Sequence, residues 1–194
     1  ETAKISKDEI PKWFIATDSV NDNLISAESI ENSITSKTVG IMPTQLNGRV
    51  SNMDAINKIA KQNNLFVVED CAEAVGSKFL GKSVGTFGDI ATFSFFGNKT
   101  ITTGEGGMVI TNNQEIHNRC IHLKSQGLKP NTEYWHDIIG YNYRMNNVCA
   151  AIGLAQLDQL DNFVKKKREL FYSYKEQLID LPLKMHEETD NVFH

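Results

Sequence analysis

Four consecutive apolar residues, Leu65-Phe-Val-Val68, run directly into two acids, Glu69 and Asp70. A run this short and this uniformly apolar suits a strand covered on both faces, as in a parallel sheet. Two earlier runs lead up to it. Trp13 to Thr17 reads as a short strand, and Val39 to Met42 as a buried strand stopped by Pro43. Helical patterns fill the gaps. Ser26 can cap a helix marked by Ile30 and Ile34, four apart. Ser51 or Asn52 can cap a second, with Met53, Ile56, Ile59 and Ala60 on one face. Strand, helix, strand, helix, strand is the order of a parallel α/β sheet. Such sheets bind ligands beyond the carboxyl ends of their strands, and Asp70 is predicted at one of those ends.

The remainder is read the same way. Glycines at 76, 81 and 85 mark turns, and Ile90 to Phe96 is rich in strand formers. Gly97 to Gly107 is a loop, followed by a strand from Met108 to Thr111 and a helix from Gln114 to Lys124 with Ile116, Cys120 and Leu123 on one side. Ser125 to Tyr143 is polar and aromatic, and long for a plain connection; long ordered loops are often functional. Asn146 or Asn147 can cap a helix through Leu157, a second helical pattern runs from about Asp161 to Leu178, and Pro182 to His194 reads as extended.

Composition removes several function classes. A net charge of −4 gives no attraction to nucleic acid or to an anionic membrane, and no apolar run approaches membrane-spanning length. The first residues carry no hydrophobic export signal. The three cysteines are odd in number and form no CxxC pair, which suits reduced thiols in the cytoplasm. The histidines show no metal-ligand spacing.

The chemistry concentrates between Phe66 and Asn112. Any lone lysine is by default a solvated surface group. Lys99, however, follows Ser94-Phe-Phe-Gly-Asn98 out of a buried strand, and a partly desolvated amine at that place can act as nucleophile and base. Asp70 can simply cap the next turn. It can also face a cationic ring nitrogen sheltered from water, which an anionic partner stabilises. A carboxylate tuning a ring and an amine forming a Schiff base are the two needs of a pyridoxal 5′-phosphate (PLP) site. Ser94, Thr102, Thr103 and the Gly104-Glu-Gly-Gly107 run suggest anion contact and close backbone approach; neither a dinucleotide fingerprint nor a Walker loop is present.

Five segments carry a resemblance: Val68-Glu-Asp-Cys-Ala-Glu-Ala74, Gly85-Thr-Phe-Gly-Asp89, Thr92-Phe-Ser-Phe-Phe-Gly-Asn-Lys99, Thr103-Gly-Glu-Gly-Gly-Met108 and Gly140-Tyr-Asn-Tyr-Arg-Met145. In this order they resemble the DegT/StrS-type sugar aminotransferases, PLP enzymes of fold-type I. Tyr134-Trp-His-Asp137 and the block after it look most like the GDP-perosamine synthase group of that family.

The resemblance implies a three-layer α/β sandwich with a mostly parallel sheet, present in part. Residues 1–160 would belong to the large PLP-binding domain, and 161–194 to a linking helix and the start of a small C-terminal domain. It implies that Lys99 forms the Schiff base and shuttles a proton, that Asp70 pairs with the ring nitrogen, and that Ser94 holds the phosphate. Ala72 and Glu73 would lie in the same cofactor-binding stretch, and Asn142 would reach the phosphate of a neighbouring subunit in a homodimer. Glutamate and a nucleotide-linked 4-keto-6-deoxy sugar would be the substrates, for an amino sugar of surface polysaccharide. Gln45 stands where relatives often carry His, which bears on substrate details. A sugar deoxygenase of the same fold would have His in place of Lys99. A non-catalytic fragment is the alternative from another class.

Overall fold

The computed structural model describes residues 12–14, 24–183, 185, 187, 188, 192 and 193. Strand β1 (Lys12–Phe14) pairs in parallel with β2 (Thr38–Ile41), β2 with β3 (Phe66–Asp70), and β3 with β6 (Ile90–Ser94); β7 (Gly107–Ile110) closes the row antiparallel to β6. The sheet order β1-β2-β3-β6-β7 is thus mostly parallel, as the strand–helix alternation predicts. The predicted continuation of the first strand to Thr17 falls outside the described residues.

Helices α1 (Ala27–Ser33) and α2 (Met53–Asn63) make the crossovers between the first three strands. Their starts follow from local hydrogen bonding. The Ser26 hydroxyl accepts from Ser29 N–H, and the Asn52 side chain, rather than Ser51, accepts from Ala55 N–H. Each such cap contributes about 1 kcal/mol. Asn64 ends α2 in the left-handed conformation, which asparagine tolerates better than most residues. The apolar face of α2 is buried as predicted, with Met53, Ile56, Ile59 and Ala60 joining Ile30, Ile41, Val67 and Ala91 in one core.

Strand β3 departs from the expectation of cover on both faces. Val67 is buried, but Phe66 is 57% exposed. The connection from β3 to β6 contains no helix. It is a small hairpin of β4 (Lys78–Phe79) and β5 (Lys82–Ser83) turning at Gly81, joined on its other side by β8 (Val192–Phe193). Three helices follow: α3 (Gln114–Lys124), α4 (Asn147–Leu157) and α5 (Leu160–Gln177). Asn113 caps α3 through two backbone amides and Asn146 caps α4 through one. None of the three helices has a buried residue.

Candidate active site

The site lies where β3 and β6 end side by side. Asp70 is the last residue of β3, in register with Thr92 of β6. Its backbone is fixed from both sides: its N–H donates to Pro43 O and its carbonyl accepts from Gln45 N–H, both at 2.9 Å. The carboxylate Oδ1 accepts from Ala72 N–H at 3.1 Å. The carboxylate of Asp70 thus caps the turn, as one of its two sequence readings expects, and it stands half-buried at the carboxyl end of β3.

Glu73 belongs to that turn. Its Oε2 accepts from Asn47 N–H at 2.8 Å, and its Oε1 lies 3.6 Å from Lys99 Nζ. The lysine side chain is 19% exposed and the glutamate 36%. The stretch after β6 thus brings an amine back to the Glu73 carboxylate in the turn that follows β3. Lys99 N–H donates to Phe96 O, which starts the turn. Ser94, half-buried at the end of β6, accepts through Oγ from Phe96 N–H.

The loop bearing Lys99 is tied down on its far side. Thr103 N–H and Thr102 Oγ1 both donate to Phe95 O, and Thr103 Oγ1 donates to Glu105 O. These hydroxyls satisfy the loop's own carbonyls, which corrects the expectation that Thr102 and Thr103 serve an anion. Gln156 of α4 grips Thr102 twice, accepting from its N–H and donating to its carbonyl, each at 2.9 Å. Sequence reading missed Gln156, because the clasp spans two distant segments. From the other side, Lys167 of α5 donates to Thr100 Oγ1. A cleft of about 280 Å³ opens beside Glu73 and Thr100, walled opposite by Lys167, Phe171 and Tyr172; Asp70, Ser94 and Lys99 do not line it.

Glu69 is the other residue missed. It is fully buried. A carboxylate there needs strong partners. Gly85 N–H donates to Oε2 at 2.9 Å, and Phe87 and Gly88 N–H to Oε1 at 2.7 Å. Asp89 completes the clasp by accepting from Val67 N–H through Oδ2. The Gly85-Thr-Phe-Gly-Asp89 segment is therefore a receptor for the strand that carries Asp70. Gly85 has a φ of +83°, and a Cβ on Gly88 would approach Val67 O to 2.7 Å, so both positions demand glycine. The signal was present in the sequence: an acid inside an apolar strand, with a glycine-rich turn following.

Gln45 proves to be structural. It is fully buried, its Oε1 accepting from Ser51 N–H and its Nε2 reaching Met53 Sδ. It shapes the turn that presents Asn47 to Glu73, so the expected effect on substrate details is indirect. Asn142 lies elsewhere, exposed, and bridged to Ser125. Among the described residues, no hydrogen bond joins it to Asp70, Glu73, Ser94 or Lys99.

The residues present fit pyridoxal phosphate by the chemistry of the donor set. Lys99 supplies a primary amine, and Asp70 and Ser94 supply a carboxylate and a hydroxyl at the carboxyl ends of the neighbouring strands β3 and β6. In comparison with known proteins, residues 9–194 match the DegT/DnrJ/EryC1/StrS aminotransferase family. The chain is 57% identical to a GDP-perosamine synthase of Escherichia coli O157:H7, over 93% of this chain and 50% of that protein. It is 45% identical to the GDP-perosamine synthase of Vibrio cholerae, over 88% and 46%. The solved structure of PseC, an aminotransferase of pseudaminic acid biosynthesis from Helicobacter pylori, superposes with a TM-score of 0.79 at 30% identity, over 82% of this chain and 44% of that one. The chain spans about half the length of the relatives it matches.

Proposed function

The chain belongs to the DegT/DnrJ/EryC1/StrS aminotransferase family, and from that membership we propose that the full-length protein moves an amino group from glutamate to the keto carbon of a nucleotide-linked 4-keto-6-deoxy sugar. The observation that carries the reading is the approach of Lys99 Nζ to Glu73, three residues beyond Asp70 at the carboxyl end of β3. The identities with GDP-perosamine synthases favour a GDP-linked sugar, and the product would be an amino sugar for surface polysaccharide.

Pyridoxal phosphate, the cofactor of this family, supplies an electron sink when bound. The chain's own residues supply the rest. Lys99 would be the amine that holds the cofactor, and its Nζ would serve as general base and acid. Asp70 would pair with the ring nitrogen, its carboxylate oriented by Ala72 N–H. Ser94 is assigned to the phosphate. Glu73 is assigned to the cofactor's ring side, in reach of Lys99 and braced by Asn47. Residues 161–194 are assigned as the link to a small C-terminal domain.

The active unit is proposed to be a dimer of two copies. Asn142 is exposed on a backbone fixed by hydrogen bonds, and Tyr134, Ile139 and Tyr143 of the same segment expose large side chains. A second copy would cover them and receive Asn142 at its phosphate. We place the protein in the cytoplasm: its three cysteines are free, and no helix among the described residues is long and apolar enough to cross a membrane.

The test uses the full-length protein. Borohydride reduction after loading with pyridoxal phosphate is expected to leave the pyridoxyl group on the peptide bearing Lys99. Lys99→Ala is expected to lower turnover of glutamate and a GDP-linked 4-keto-6-deoxy sugar by about a thousandfold or more, as for loss of a group with both nucleophilic and acid–base roles. A pyridoxyl label on any other lysine rejects the assignment.

A further inference from the structure

The segment from Ser125 to Tyr143 is built as an arm. Its base crosses the end of α3, whose last carbonyls would otherwise lack partners. Gly127 N–H donates to His122 O, Tyr141 N–H to Leu123 O at 2.7 Å, and Tyr143 N–H to Lys124 O at 3.0 Å. The two sides of the arm also bind each other: Gln126 N–H to Tyr141 O, Lys129 N–H to Trp135 O, Asp137 N–H to Gly127 O, and His136 Nδ1 with Gln126 O. They touch so closely at Gly127 and Gly140 that a Cβ on Gly140 would fall within the Gly127 backbone.

The arm turns its large side chains outward. Tyr134 is 90% exposed and Ile139 89%, with Trp135 and Tyr143 also well exposed. Past Gly127 no described residue is fully buried, and of the arm's apolar side chains only Leu128 and Ile138 are partly covered. One side-chain link among the described residues joins it to α3. His122 Nε2 and Asp137 Oδ1 stand 2.6 Å apart, with side chains 18% and 35% exposed. Asp137 sits on the strand of the arm that leads to Asn142, five residues further on.

We infer that the His122–Asp137 pair locks this arm in the pose that delivers Asn142 and the outward aromatic face to a second copy of the chain. The inference rests on the dimeric reading above. His122 and Asp137 are positioning residues, acting through the arm. The pair takes the place of a fully buried apolar anchor, which leaves Tyr134, Trp135, Ile139 and Tyr143 available to the partner. Asn142 needs such a lock because its own side chain makes no hydrogen bond among the described residues, so its placement comes from the backbone alone.

The experiment measures self-association of the full-length, cofactor-loaded protein by sedimentation over a dilution series, for wild type, His122→Ala, Asp137→Ala, the double variant and Asp137→Asn. Each single alanine variant is expected to raise the dimer dissociation constant by about tenfold, because each removes the same oriented contact. The double variant is expected to be no weaker than the worse single variant. Asp137→Asn, which keeps an oxygen acceptor for His122, is expected to recover part of the loss. Hydrogen exchange at Gly127, Tyr141 and Tyr143 is expected to quicken in the alanine variants while the N–H of buried Cys71, bonded to Thr92 O, stays protected, which separates a loosened arm from a misfolded chain. Dissociation constants within threefold of wild type, or additive single effects, overturn the inference. A wild-type protein that is monomeric at micromolar concentration overturns the dimeric reading instead.

Discussion

Helices α2 and α4 are each 11 residues long, each starts with an asparagine cap, and they meet opposite fates. Helix α2 is amphipathic and lays Met53, Ile56, Ile59 and Ala60 into the core. Helix α4, Asn-Val-Cys-Ala-Ala-Ile-Gly-Leu-Ala-Gln-Leu, is apolar nearly all round and buries nothing; Val148 and Leu154 are among the exposed residues. The difference extends to whole regions. All the described buried apolar side chains lie between Ile25 and Ile101. A helix apolar all round belongs inside something. The first region therefore carries its own core, while the second presents faces shaped for cover that it does not itself supply. The candidate site draws on both: Asp70, Glu73, Ser94 and Lys99 come from the first, and Gln156, which holds the loop bearing Lys99, from the second.

The comparison breaks first at Glu69, where the first region has concentrated its polar interactions. Glu69→Ala leaves three backbone donors in the core without an acceptor. At about 1–3 kcal/mol for each buried unsatisfied group, partly relieved by relaxation, we expect a loss near 4 kcal/mol. Urea unfolding of the full-length protein checks it. A loss below about 1 kcal/mol would show the 85–89 turn to be dispensable to the core.

The two regions also differ in how far they could be read from sequence. Alternating strands and helices up to Asp70 are local signals: caps at Ser26 and Asn52, a 3.6-residue stripe on α2, a short apolar run for β3. These were legible because period and capping depend on neighbours in sequence. The place of Asp70 at the carboxyl end of a strand was legible in the same way. Three features were not. The fully buried state of Gln45 and the clasp of Gln156 on Thr102 depend on partners reached only after folding. The exposure of Phe66 depends on what lies over the edge of β3, which no strand pattern encodes. Thr102 and Thr103 misled because a hydroxyl beside glycines looks the same whether it serves an anion or its own backbone.

A paired substitution sharpens the contrast between the helices. Ile56→Ala in α2 opens a cavity beneath a fully packed sheet and should cost about 3 kcal/mol. Leu154→Ala in α4 removes a side chain that is mostly in water, and in dilute protein should cost less than about 0.5 kcal/mol. Raising the protein concentration should widen the Leu154→Ala deficit and leave that of Ile56→Ala unchanged if a second copy covers α4. An equal cost for both at high dilution would make α4 a core helix covered by the rest of the full-length chain.

The smallest effect separates the cysteines of the two regions. Cys71 is fully buried between Glu69 and the sheet, whereas Cys120 and Cys149 are partly exposed on α3 and α4. Burial raises the Cys71 thiol far above its ordinary value of 9.0, and the charges of Glu69 and Asp70, with the hydrogen bond to Glu69, raise it further. The sign of its effect on stability follows. Below pH 9.0 the thiol is protonated in folded and unfolded chains alike and contributes no slope. Above it the unfolded chain releases the proton while the folded chain keeps it, so stability falls by about 1.4 kcal/mol per pH unit. Cys71→Ala should remove that component of the alkaline slope, whatever constant offset the lost sulfur adds. Alkylation of the native protein at pH 8 should modify Cys120 and Cys149 well before Cys71. Equal alkaline slopes for wild type and Cys71→Ala, or early labelling of Cys71, would mean that the carboxyl end of β3 opens to solvent, and that the two regions differ less in packing than their burial implies.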